Sequence, residues 1–201
     1  MMRDMDTRGG MAIYLLCLAT FVTYLSANLI TPVLPILAAQ LGAKDLSLAS
    51  VSGAYMVFLS MFQIFTGAFA DRFGRRRIIA LGSFIAAFSS VLCVFAISWE
   101  QLVILRAFGG IADAFTGPAL LALVAELSGA RKGRAMGVFR SSQGLSLIAG
   151  PMIGGGLAYF FSAYAPFFAD FALTLLGIAI FLLLVPEAQR RRGVLSSPYS
   201  R

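Results

Sequence analysis

Six apolar stretches, each long enough to cross a bilayer, constrain this chain more than any other feature of its sequence. A helix needs roughly 20 residues to cross about 30 Å of hydrocarbon. The stretches fall at 11–38, 46–69, 78–98, 102–127, 135–161 and 166–185. The links between them are short, so successive spans are expected to fold back as antiparallel hairpins. Composition agrees: 59% of residues are hydrophobic and 12% charged, where soluble domains run at about 45–50% and about 25%. The mean hydropathy is +0.87. A soluble fold this apolar would run out of polar residues to cover its surface, so the lipid bilayer is the expected solvent. The organisation read from the pattern is an N-terminal tail (1–10), a six-helix transmembrane domain (11–185) and a C-terminal tail (186–201). The first stretch is too long for a signal peptide and lacks a small-residue cleavage site, so it is read as a span.

Charge placement tests this layout independently. One set of alternate ends carries Arg3 and Arg8; Arg72, Arg75, Arg76 and Arg77; Arg131, Lys132 and Arg134; and Arg190, Arg191, Arg192 and Arg201. The opposite ends carry only Lys44, while Arg106 and Arg140 lie within spans. Basic residues accumulate on the cytoplasmic side of membrane proteins, so both termini are expected in the cytosol of a multi-pass protein of the cell membrane. The net charge of +7 is thus a topology signal. No nucleic-acid partner is expected, because the arginines sit in separate membrane turns.

What the chain lacks also narrows its chemistry. It has no histidine and only two cysteines, Cys17 and Cys93, both within apolar runs and without a partner at metal-ligand spacing. With no nucleophile–base pair, metal cluster or phosphate loop, no enzyme activity, metal or cofactor is expected.

Small residues and prolines are unusually frequent within the spans. Gly150 and Gly154, and Ser146 and Gly150, have the small-xxx-small spacing that lets helix backbones approach closely in lipid. Pro32, Pro35, Pro118 and Pro151 interrupt the first, fourth and fifth spans. Each proline frees a backbone carbonyl, which is tolerated where helices pack tightly or line a cavity.

Positions 67–78 read G-A-F-A-D-R-F-G-R-R-R-I, at the expected cytoplasmic hairpin between the second and third spans. This resembles the signature loop of the major facilitator superfamily, G-x-x-x-D-R-x-G-R-R, with Gly67, Asp71, Arg72, Gly74, Arg75 and Arg76 matching. In the fourth span, Arg106 with Gly110 resembles the family's R-x-x-x-G element, although Gly109 stands where a glutamine is often seen. In the fifth, S-L-I-A-G-P-M-I-G-G at 146–155 resembles the antiporter motif of its exporters: Gly150, Pro151, Gly154 and Gly155 match, and Ser146 takes the place of the first small residue. The resemblance runs from the Pro32 and Pro35 segment to Pro186 and Glu187. It implies an all-α membrane protein of six helices in a three-plus-three inverted repeat, equivalent to the first half of a twelve-helix fold. Pro32, Ala39, Gln40 and Leu41 match Pro118, Ala125, Glu126 and Leu127 at one offset, a faint echo of such a repeat.

The charged residues give the functional expectations. Gly74 permits a tight reversal, and the arginines pin the hairpin to the headgroups. Asp71, at the C-terminal end of a helix, opposes the helix dipole. Arg72, Arg134 or the N-terminus of another helix could compensate it, or it is a solvated turn residue. The resemblance implies a helix of the second half, against which Asp71 latches the inside shut. An ionised group at a helix centre costs on the order of 2.5–3.5 kcal/mol, so each buried charge needs a partner or water. Arg106 and Asp113 lie two turns apart on one face, roughly 10 Å along the axis, too far for direct contact but able to face one polar cavity. Asp113 is the preferred proton-carrying carboxylate; a structural aspartate paired with a polar neighbour is the other reading. Asp170 is expected to reach headgroup water, Arg140 to snorkel to the interface, and Glu126 to pair with Arg131 or Arg134. Asn28 stands where exporters of this family often carry an acid, a departure from their usual coupling scheme.

Together these features predict a secondary transporter half that exports a small organic or drug-like molecule by proton-coupled alternating access. Its expected partners are the bilayer, the substrate, protons, and a second half supplied by a parallel homodimer or a separate chain. The competing expectation is a non-transporting fragment or accessory subunit.

Overall fold

The computed structural model describes residues 2–128 and 132–184, with the backbone alone at 2–13, 67, 68, 71, 127 and 184. The described residues form seven α-helices and no strand: α1 (Met2–Leu29), α2 (Leu34–Gln40), α3 (Leu46–Phe73), α4 (Arg75–Leu92), α5 (Trp99–Leu127), α6 (Lys132–Phe160) and α7 (Ala165–Leu184). The expected tail 186–201 and Arg131 lie outside the described residues.

The first expected span is not one helix. It divides into α1 and α2 at a turn over residues 30–33, and α1 reaches back to Met2 through the expected N-terminal tail. Pro32 has no N–H to continue the ladder. The Ile30 carbonyl instead accepts from Val33 at 3.1 Å and Leu34 at 2.9 Å, and Pro35 takes the first turn of α2, where its missing N–H costs nothing.

Five stretches are long and apolar enough to cross a membrane: Tyr14–Gln40, Leu46–Thr66, Arg75–Phe95, Trp99–Glu126 and Ala165–Leu183. α6 is 29 residues long but falls short on hydropathy, because Lys132, Arg134, Arg140 and Gln143 crowd its first half. Its packing identifies it as the sixth crossing. Arg134 contacts Tyr14, Ser146 bonds Phe21, Gly150 meets Leu25 and Asn28, and Gly154 meets Leu29. α6 therefore climbs beside α1, parallel to it, over the same height.

The helix partners obey a two-fold exchange. α1 packs on α6 and α7, while α5 packs on α3 and α4; α4 and α7 meet each other. Exchanging the set α1, α3, α4 with the set α5, α6, α7 leaves this pattern unchanged. That is the three-plus-three inverted repeat expected from the sequence.

Helix approach rests on small residues rather than on apolar bulk, as lipid requires. A methyl at Gly110 would run into the Tyr55 carbonyl of α3, and one at Gly82 would come within 2.8 Å of the Ala112 carbonyl of α5. Pro118 deprives the Ala114 carbonyl of its intrahelical donor. Thr66 Oγ1 of α3 donates to that carbonyl at 2.6 Å.

Two apolar clusters close the bundle at its ends. One gathers Leu16, Leu123, Val124, Phe139 and Phe181 near the arginine-bearing turns. The other gathers Ile30, Val33, Leu37, Leu102 and Phe167 at the opposite end. Large side chains such as Ile64, Ile97 and Leu183 project outward, more than four-fifths exposed. In water such surface would drive association; in hydrocarbon it is solvated.

Candidate functional site

Between the two apolar ends lies a cavity of about 450 Å³, bordered by residues of α1, α3, α4, α5, α6 and α7. Three residues singled out from the sequence, Asn28, Arg106 and Asp113, all line it. Their elements explain why. α5 presents Arg106 and Asp113 two turns apart on one face, and Gly109 and Gly110 between them let α3 approach.

Tyr55 is the residue that this approach delivers. Its hydroxyl donates to Asp113 Oδ2 at 2.8 Å, and the Arg106 guanidinium carbon lies 5.6 Å from its ring centroid. A tyrosine ring presents a negative face to a cation and a hydroxyl to an acceptor, so one side chain serves both charges. Arg106 and Asp113 themselves make no ion pair within 4.0 Å. A phenol within an apolar span, which has to find a partner for its hydroxyl, was only a weak pointer to Tyr55.

Asp170 departs from expectation. Headgroup water was the predicted environment, but Asp170 is 3% exposed and lines the same cavity. The α7 helix turns it inward, where Thr174 Oγ1 donates to its Oδ1 at 3.4 Å and shares a 2.7 Å hydrogen bond with Ser26 Oγ of α1. Asn28 borders the cavity but spends its amide on its own helix, donating to the Tyr24 carbonyl at 2.7 Å.

The signature loop lies at the far end of the bundle from these groups. Gly67 falls in the last turns of α3; the Asp71 side chain, on which the expected latch rests, lies outside the described residues. Gly74 alone joins α3 to α4, at φ +92°, ψ +123°, a backbone that only glycine adopts without strain. Arg75 Nη1 donates to Glu126 Oε2 at 2.8 Å, with both side chains partly exposed. Glu126 thus pairs with the signature loop; among the described residues Arg134 reaches Tyr14 instead, at 3.5 Å. Arg76 donates to the Leu182 carbonyl near the end of α7, and the Arg72 guanidinium sits 5.7 Å from the Phe73 ring centroid. Arg140 is exposed and bonded to Gln143 at 3.0 Å.

The α6 motif forms a third group, along α1. Ser146 Oγ reaches the Phe21 carbonyl at 3.2 Å and the Ser142 carbonyl at 2.8 Å. A methyl at Gly150 would come within 3.1 Å of the Leu25 carbonyl, and one at Gly154 would collide with the Leu29 carbonyl. Pro151 lies within α6, and Gly155 faces open space. Asn28 belongs to two groups at once, since its Cβ abuts Gly150 while its amide borders the cavity. Among the described residues no cluster of three or more metal-ligating side chains occurs.

This bundle, its signature hairpin and its central polar layer have a counterpart in known proteins. The sequence model of the Major Facilitator Superfamily matches residues 16–197. The chain belongs to that superfamily. An uncharacterized MFS-type transporter of Methanocaldococcus jannaschii is 31% identical over 157 residues, covering 78% of this chain and 41% of that protein. Multidrug resistance protein 1 of Bacillus subtilis is 29% identical over 171 residues, covering 85% and 44%. The human organic anion transporter MFSD10 superposes with a TM-score of 0.75 at 21% identity, over 90% of this chain and 48% of that one. At that identity the likeness speaks to the fold alone. The chain spans about half the length of the curated relatives it matches, and its six helices make one half of a major facilitator fold.

Proposed function

We propose that this chain supplies a six-helix half of a secondary active transporter that exports a small organic, drug-like molecule by alternating access, driven by a proton gradient. The observation that carries this reading is the cavity itself. A stack of six lipid-soluble helices has no structural need for a mid-height layer containing Arg106, Asp113 and Asp170. Intramembrane charge is costly and marks substrate and proton pathways. Asp113 is the coupling carboxylate in this reading, held by Tyr55 where it borders the space a substrate would occupy. Multidrug relatives among the similar proteins support export of drug-like molecules.

The second half would be a parallel second copy or a separate six-helix unit, since the halves of this fold share one orientation. A cytosolic position for the arginine-bearing hairpins, in a protein of the cell membrane, is part of this reading; it is supported by the loop cations, of which the opposite end carries only Lys44. Transport is a carrier process, and no step in it requires enzyme chemistry.

The test is reconstitution into liposomes, with the second half supplied, under an imposed proton gradient and a panel of fluorescent organic molecules. Gradient-dependent export that Asp113→Asn abolishes is the expected result. Gradient-dependent export that survives unchanged in Asp113→Asn removes that residue from coupling. A chain that moves no probe with any partner favours the other reading, a non-transporting fragment or accessory subunit.

A further inference from the structure

One turn along α5 from Asp113, the cavity carries a second polar group that the coupling role leaves unused. A methyl at Gly117 would stand 3.7 Å from the Tyr24 hydroxyl of α1 and 3.9 Å from the Gln63 amide nitrogen of α3. All three residues line the cavity. The absent side chain leaves a gap with a phenol on one side and a carboxamide on the other.

Gln143 of α6 completes the group and sets the direction of its hydrogen bonds. Its Oε1 accepts from Arg140 Nη1 at 3.0 Å, which leaves its amide N–H groups to face the Tyr24 hydroxyl. A phenol oxygen that accepts from an amide keeps its own O–H to donate. Among the described residues, neither the Tyr24 O–H nor the Gln63 amide donates to a protein acceptor. Two free donors thus border one small gap.

The charged groups that face Tyr24 are Asp113 and Arg140, one of each sign. At this depth charges are poorly screened, so an anion beside Gly117 would be repelled by Asp113 and a cation by Arg140. An uncharged oxygen acceptor meets donors only. The rest of the wall includes Leu34, Met56, Leu59 and Leu147, which suit the apolar body of such a ligand.

We propose that Tyr24 and Gln63, on either side of Gly117, bind the carbonyl oxygen of an uncharged organic ligand such as an aryl ketone or amide. This names a substrate class for the cavity and rests on the cavity's being the substrate space. Gly117 makes room for the oxygen. Alanine there would fill the gap with ordinary contacts and no clash.

The experiment is photolabelling of the purified chain in lipid nanodiscs with benzophenone, whose excited carbonyl attacks the C–H bonds beside it. Peptide mass spectrometry locates the label, and outward-facing Ile64 serves as the reference for label taken up from the bilayer. Label is expected around Tyr24, Gln63 and Gly117. Fluorenone is expected to displace it, and fluorene, the same skeleton without the oxygen, to leave it in place. Tyr24→Phe removes one donor, and label at these residues is expected to fall about two- to tenfold, the range of a neutral hydrogen bond. Gly117→Ala, which keeps the bundle folded, is expected to lower it at least as much. Label confined to outward residues such as Ile64, equal displacement by fluorene, or undiminished label in either folded variant overturns the proposal. Labelling as stated without export from reconstituted liposomes would sink the transport reading and leave the carbonyl site standing.

Discussion

Tyr55 of α3 donates a 2.8 Å hydrogen bond to Asp113 of α5. Both residues border the central cavity, and the bond fixes the carboxylate against the helix that Gly110 allows to approach. Hydrogen bonds to charged groups contribute about 1.5–3 kcal/mol, which corresponds to roughly ten- to a hundredfold in an equilibrium or rate. Tyr55→Phe keeps the ring under Arg106 and removes only the hydroxyl. Gradient-driven transport is expected to fall about tenfold or more, and the bundle to lose about 1.5–3 kcal/mol of stability in the same variant. A transport rate equal to wild type would show that the hydroxyl has no part in the cycle.

The α6 motif gives a second prediction, with an internal control. Gly154 lies against the Leu29 carbonyl, where backbone cannot yield, whereas Gly155 faces open space. Overpacking a tight contact costs about 1–3 kcal/mol. Gly154→Ala is expected to destabilise the helix bundle by that amount in denaturant titration, and Gly155→Ala by less than about 0.5 kcal/mol, as for substitutions away from packed features. Equal effects at the two positions would contradict the packing of α6 on α1.

Much of this architecture was legible in the residues, and the exceptions have physical causes. Span length and the alternation of arginine-bearing turns identified the six crossings, because lipid allows few alternatives to a helix of that length. The stretch 135–161 was read as a span from its length, but it is the least apolar of the six, and its place in the bundle rests on its packing against α1. The division of the first span was missed, because Pro32 and Pro35 lie near the end of an apolar run that continues past them. Arg106 and Asp113 could be placed on one cavity from helical spacing alone. Tyr55 and the burial of Asp170 could not, because each depends on how another helix is rotated. Asp170 looked close to the water interface by its distance along the chain, and only the rotation of α7 turns it inward.

At the signature hairpin, backbone matters more than charge. Gly74 joins α3 to α4 at φ +92°, with open space where a side chain would stand. A non-glycine residue held in such a region costs about 1–3 kcal/mol. The Arg75–Glu126 pair is partly exposed, and pairs of that kind contribute about 0–1 kcal/mol. Gly74→Ala is therefore expected to lower stability more than Glu126→Gln in the same unfolding titration. The reverse order would mean that the ion pair, and not the turn, holds the hairpin.

Thr66 and Pro118 form a compensated pair between α3 and α5. Pro118 leaves the Ala114 carbonyl without an intrahelical donor, and Thr66 Oγ1 supplies one at 2.6 Å. Interhelical hydrogen bonds in membranes contribute about 0.6 kcal/mol on average and up to about 1.7. Thr66→Val is expected to cost within that range, near its upper end, because the carbonyl it abandons is buried. Pro118→Ala restores an N–H to residue 118, which can bond the Ala114 carbonyl within α5. In that background Thr66→Val is expected to cost distinctly less, and the two substitutions should be non-additive. A double-mutant cycle read by unfolding decides the point. Strict additivity would mean that the threonine does not serve the carbonyl freed by the proline, and that α3 and α5 are held together by close backbone approach alone.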